Sequence, residues 1–112
     1  MSKGVNKVIL IGNLGADPEL KTVGSGLSVC NLRVATAERK KESGEWVDHT
    51  EWHNVTAFGK TAENISKFCT KGKQLYIEGG LRTREYQDKS GNKRYNTEVI
   101  AQNVRFLGGR QQ

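Results

Sequence analysis

The chain has 112 residues, enough for one domain and one core, and its 35% hydrophobic and 27% charged content suits an ordinary globular protein. No apolar run approaches the roughly 18 residues of a membrane helix, and the first residues lack the apolar stretch of a secretory signal, so a cytoplasmic protein is expected. Eighteen Lys and Arg against 12 Asp and Glu give a net charge of +6, which favours a polyanionic partner. The positive residues are dispersed, with only Arg39-Lys40-Lys41 as a run, as suits a groove that tracks a phosphate backbone.

Val5 to Leu14 is apolar and β-branched and is followed by Gly15 and Asp17-Pro18, which predicts a strand closed by a turn. Gly24-Ser-Gly26 opens a second strand, Leu27 to Glu38, in which Leu27, Val29 and Asn31 alternate with Cys30, Leu32 and Val34. Arg39 to Asp48 is charged around Gly44 and reads as a mobile hairpin loop. A third strand runs from Thr50 to Phe58. From Thr61 to Thr70 the period turns helical, with Ala62, Ile65, Phe68 and Cys69 on one face, Thr61 as cap and Gly72 as stop. Gln74 to Tyr86 is a fourth strand, Asp88 to Asn92 a hairpin turn, and Arg94 to Leu107 a fifth strand. Residues 1–107 form the expected domain, and 108–112 a frayed end.

Three strands, a helix and two strands is the order of an OB-fold, an all-β five-stranded barrel with its helix between strands three and four. The Gly79-Gly80 pair suits a sharp bend at a barrel corner. Another small α+β sheet protein would share this order.

Several chemistries find no support. Gly59-Lys60-Thr61 resembles the end of a phosphate-binding loop, but position 54, where that motif needs glycine, is asparagine. His49 and His53 are about 13 Å apart on an extended strand, too far to hold one metal. No serine or cysteine has an activating setting, so neither an enzyme nor a cofactor is expected. Cys30 and Cys69 read as reduced structural thiols, with Cys69 buried.

One pattern does point to chemistry. Trp52, Asn54, Thr56 and Phe58 fall at even spacing on one strand, and Arg82, Arg84 and Tyr86 on another. Each set faces one way, and the mixture is too polar for a core. A surface that stacks bases and neutralises phosphates wants this mixture. Trp52 and Phe58 are therefore expected to be exposed, and Tyr86 to project near its hairpin with Tyr95 across from it. Trp46 reads as a hydrophobic anchor.

Gly4-Val-Asn-Lys-Val-Ile-Leu-Ile-Gly-Asn-Leu-Gly15 with Asp17-Pro18-Glu19 resembles the opening of bacterial single-stranded DNA-binding protein. Thr50-Glu-Trp-His53, Phe58-Gly-Lys60, Lys71-Gly72, Tyr76-Ile-Glu-Gly79 and Leu81-Arg-Thr-Arg84 continue the likeness in order. The resemblance implies an OB-fold homotetramer that binds single-stranded DNA with little sequence preference during replication, recombination and repair, associated with the nucleoid. It implies base stacking on Trp52, Phe58 and Tyr86, the last usually a tryptophan. It implies further DNA contacts from Lys3, Asn54, Lys60, Phe68, Lys71, Arg82 and Arg84. Lys7 and Ile9 would pair subunits, with His53, Gln74 and Tyr76 near subunit interfaces. Two departures stand out: Lys40 stands where many relatives have a tryptophan, and the family's acidic tail has no counterpart after Gln112, which leaves recruitment of protein partners doubtful. A tailless OB-fold accessory factor, or an oligomeric scaffold whose aromatic face binds protein, are the alternatives.

Overall fold

The computed structural model describes residues 3–108, in the order β1 (Val8–Leu14), β2 (Glu19–Val23), β3 (Leu27–Glu42), β4 (Glu45–Phe58), α1 (Gly59–Phe68), β5 (Gln74–Gln87) and β6 (Lys93–Leu107). β1 and β2 are two parts of one broken strand. Both pair antiparallel with β3, Leu14 opposite Val34 and Glu19 opposite Asn31, and the break falls around Pro18, which has no N–H for a ladder. β1 also pairs with β5, β5 with β6, and β6 in parallel with β4 through Val55 and Val99. Because β4 returns to β3, the ladder closes. With β1 and β2 counted as one strand, this is the expected OB-fold barrel with α1 between strands three and four.

Alternation along the strands fills the barrel. Cys30, Leu32 and Val34 of β3, Val55 and Ala57 of β4, Leu75 and Ile77 of β5, and Val99 and Ala101 of β6 are buried. α1 adds Ala62 and Ile65 to this core, and Cys69 follows them. Each fully buried Ile, Leu or Val contributes about 1.5–3 kcal/mol. Both thiols are free and buried, and burial pushes both up from their ordinary range, so they stay protonated.

The β5 bend lies at the expected glycines. The β5–β6 register shifts between Glu78, opposite Asn103, and Gly79, opposite Ala101. A side chain on Gly79 would overlap the Ile100 carbonyl, so the crossing strands approach here as only glycine allows.

Four local expectations need correction. Arg39 to Asp48 is not a loop: the β3–β4 ladder runs on to Glu42 opposite Glu45. Ser43 and Gly44, at φ 51° and 83°, form a two-residue turn whose left-handed backbone matches the twist of the strands. The helix starts at Gly59, two residues before Thr61, and has no side-chain cap. Its C-cap is Cys69, whose N–H donates to the Ile65 carbonyl. β2 was not expected, because all five of its residues are exposed and carry no alternating apolar pattern. Tyr95 lies opposite Glu85, and Tyr86 opposite Arg94, so the two tyrosines point to opposite faces. Of the expected frayed end, residues 109–112 lie outside the described residues.

Candidate nucleic-acid interface

The Trp52 side of β4 faces outward beside β3. Trp52 lies opposite Ala35 and Asn54 opposite Arg33, and opposite residues of an antiparallel pair share a face. Trp52 is 46% exposed, as expected for a stacking ring. Its six-membered ring rests against Gly15, where a side chain would collide with it. The Arg33 guanidinium lies 4.8 Å from the ring centroid. Trp52 is thus held at one edge by backbone and met by a cation, which orders it without burying it.

Further along β4 the expectation is only partly met. Thr56 is buried and Phe58 half-buried, because β6 and β5 close over this end of the face. The Thr56 hydroxyl donates to Glu98 Oε1 at 2.6 Å and stands 3.1 Å from Asn31 Oδ1; its single proton serves the shorter contact. Glu98 Oε2 accepts from Arg82 Nη2 at 3.1 Å and from Arg84 Nε at 2.8 Å. The Arg82 guanidinium also lies 5.8 Å from the Phe58 ring centroid. Burial pushes the Glu98 carboxyl up, but hydrogen bonds from Thr56, Arg82 and Arg84 and the charge of Arg84 outweigh it, leaving it below the usual glutamate range.

These links join β3, β4, β5 and β6 into one surface. A cleft of about 440 Å³ opens on these strands, lined by Arg33 of β3, Asn54 and Thr56 of β4, Arg84 of β5, and Asn96 and Glu98 of β6 among others. Lys71 stands in a turn docked on the end of β1, where Gly72 N–H donates to Leu14 O at 2.8 Å and the Lys71 N–H to Asp17 Oδ1 at 2.7 Å. That turn adjoins Gly15, the residue against which the Trp52 ring rests. Lys3 and Lys60 are exposed.

Other expected residues are not brought to this cleft. Phe68, 62% exposed, pairs with Phe106 at 6.4 Å between ring centroids and has Lys67 Nζ at 5.4 Å. Phe106 is near the opposite end of β6 from Arg94, the partner of Tyr86. Tyr86 is 51% exposed on the β5–β6 arm, whose turn is held by Asp88. Trp46 is no anchor: it is 60% exposed near the β3–β4 turn, with Arg39 and Lys41 each just under 6 Å from its ring. Lys40 lies opposite Val47, one residue out of step with Trp46, and so faces the other side of that hairpin.

The residues expected at subunit contacts divide. Ile9 faces Glu78, Ile11 faces Tyr76 and Asn13 faces Gln74 across β1–β5, so Ile9, Gln74 and Tyr76 share one outer face. Ile9 and Ile11 are 56% and 53% exposed, and Lys7 Nζ pairs with Glu78 Oε2 at 2.6 Å on the same face. His53 is elsewhere, its Nε2 2.9 Å from the Thr36 hydroxyl across β3–β4.

Sequence reasoning missed Arg33, Glu98 and Ile11. Arg33 shares its alternation with Asn31, and continuing the third strand back to pair with the second would have set it beside Trp52. Glu98 gave no such signal, because an acidic residue in a basic groove is found only once four strands are assembled.

A closed five-stranded barrel carrying exposed aromatics among basic side chains defines a nucleic-acid-binding OB-fold protein. The single-strand binding protein family model matches residues 5–107, and the chain belongs to that family, whose members bind DNA and are not enzymes. A solved structure of Plasmodium falciparum SSB in complex with ssDNA is similar to it, with 28% identity, a TM-score of 0.88, and 96% of this chain and 99% of that one covered.

Proposed function

We propose that the chain binds single-stranded DNA with little sequence preference, stacking bases on Trp52, Phe58 and Tyr86 and meeting phosphates with Lys3, Lys60 and Lys71, all within a domain of residues 1–107. The observation that carries this reading is the Trp52 ring, ordered by Gly15 and Arg33 yet nearly half exposed, on the surface that also holds Asn54, Arg82 and Arg84. Stacking one base on such a ring contributes about 1–3 kcal/mol and does not depend on base identity. Duplex DNA hides its base faces, so the same surface discriminates against double strands. Trp46 with Arg39 and Lys41 supports an added role for the β3–β4 hairpin as an arm reaching further nucleotides.

The biological reading follows from the family: protection of single strands during replication, recombination and repair, in the cytoplasm and on nucleoid DNA. The exposed Ile9 and Ile11 on a ladder face with Tyr76 support pairing of subunits, and we extend this to a homotetramer.

Titration with oligo-dT at a series of NaCl concentrations tests the reading. Tryptophan emission is expected to fall on binding, and log K to decline with log salt by about 0.7 per phosphate neutralised. No binding at low salt, or a flat salt dependence, would overturn it. Light scattering with and without long oligo-dT reports subunit number and stoichiometry, and a monomer would remove the oligomer from the proposal.

A further inference from the structure

We propose that Glu98 is a positioning residue for the DNA-facing surface, fixing Arg82 and Arg84 against the barrel and cancelling part of their charge. This inference rests on the single-stranded DNA reading above and concerns how that surface is built. The Glu98 side chain is 7% exposed, whereas those of Arg82 and Arg84 are 44% and 54% exposed. The carboxylate is therefore a buried floor with two cations standing over it. Thr56 holds its other oxygen, so neither oxygen is left unpartnered and the carboxylate cannot swing away without losing three hydrogen bonds.

Two consequences follow for the arginines. A pair of guanidiniums over one carboxylate carries a net charge of +1, so together they release about one counterion from a phosphate backbone. Each arginine also has five N–H donors, and Glu98 takes one N–H contact from each. The remaining donors are left for bases, sugars or phosphates, while Arg82 is further fixed beside Phe58. Lys60 and Lys71 differ: among the described residues they form no ion pair, so their charge reaches a phosphate at full strength. Affinity for phosphate and orientation of nucleotides are thereby divided between lysines and arginines.

The test is the salt dependence of oligo-dT binding by Glu98→Gln. Glutamine keeps the size of the side chain, and its amide can still meet Thr56 and one arginine, but it removes the negative charge. The slope of log K against log salt is expected to steepen by about 0.7, the contribution of one further phosphate in a single strand. A slope equal to or shallower than that of the unaltered protein overturns the charge cancellation on which the proposal stands while leaving DNA binding intact. Failure of the unaltered protein to bind oligo-dT would instead remove the reading beneath it. Should Glu98→Gln not fold, arginine side-chain NMR of the unaltered protein decides. The Arg84 Nε–H is expected to be protected from exchange at neutral pH, both free and with oligo-dT bound. Loss of that protection on binding DNA overturns the proposal.

Discussion

The Arg33 guanidinium stands 4.8 Å from the centre of the Trp52 ring, reaching it diagonally across the β3–β4 ladder from its own partner, Asn54. An exposed tryptophan is free to turn, and a base that stacks on it must first stop that motion. Here Gly15 meets one edge of the ring and Arg33 approaches it, so much of the ordering is complete before DNA arrives.

Trp52→Ala should therefore weaken oligo-dT binding by about 1–3 kcal/mol for each engaged site. The chain has two tryptophans, so the optical test is cleaner in Trp46→Phe, where Trp52 alone reports. Saturating oligo-dT at low salt should quench its emission. An unquenched Trp52 would show that bases pass it by.

Gly15→Ala tests the same platform without touching the ring. The new methyl group would collide with the six-membered ring of Trp52 and push it from its resting position, a side chain being able to shift where backbone cannot. Binding should weaken about as far as in Trp52→Ala, while thermal stability changes little. A variant that binds normally would show that the resting position of Trp52 is irrelevant to the complex.

How much of this was legible in the sequence depends on the range over which each residue is determined. The barrel order followed from local signals: β-branched runs, a change to helical period at Ala62 and Ile65, and paired glycines at the corner. Trp52 and the Arg82, Arg84 and Tyr86 row were visible through period two alone. What failed was set by pairing. Arg39 to Asp48 looks like a loop because its charges leave no apolar face, yet Ser43 and Gly44 supply a turn that lets the ladder continue past the core. Thr56 looked exposed by its parity and is covered because β6 brings Glu98 to it. Glu98 was invisible, since its meaning needs Arg82, Arg84 and Thr56 assembled from two other strands.

Gly79→Ala should destabilise the barrel. The added carbon would meet the backbone carbonyl of Ile100, which cannot turn aside as a side chain can. Overpacking of this kind costs about 1–3 kcal/mol, read as a lower urea midpoint with an unchanged slope. Unaltered stability would mean that β5 and β6 part more easily than their register implies.

Acid should destabilise the fold through Glu98. Glu98 is held below its ordinary value of 4.5, burial being outweighed by Thr56, Arg82 and Arg84. The unfolded chain therefore binds more protons than the folded one just below that value, and stability falls as pH falls. The Glu98 contribution is complete above about pH 4.5 and is lost as pH drops through the lower folded value. Asp88, held down by hydrogen bonds from Arg94 and the Asn92 backbone, and Glu78, held down by Lys7, act in the same direction. Both are on the outer surface, where salt screens charge more than at a covered carboxylate. Urea unfolding in high salt should thus isolate Glu98. At pH 7, Glu98→Gln should be less stable by about 1–3 kcal/mol, the usual loss when buried partners of a charged group are left short. As pH falls below 4.5 the gap should narrow, because once Glu98 is protonated in the folded protein it and the glutamine carry the same charge over the same two arginines. A gap that stays constant as pH falls would mean that the charge on Glu98 contributes nothing, and that its hydrogen bonds alone hold the three strands at this point.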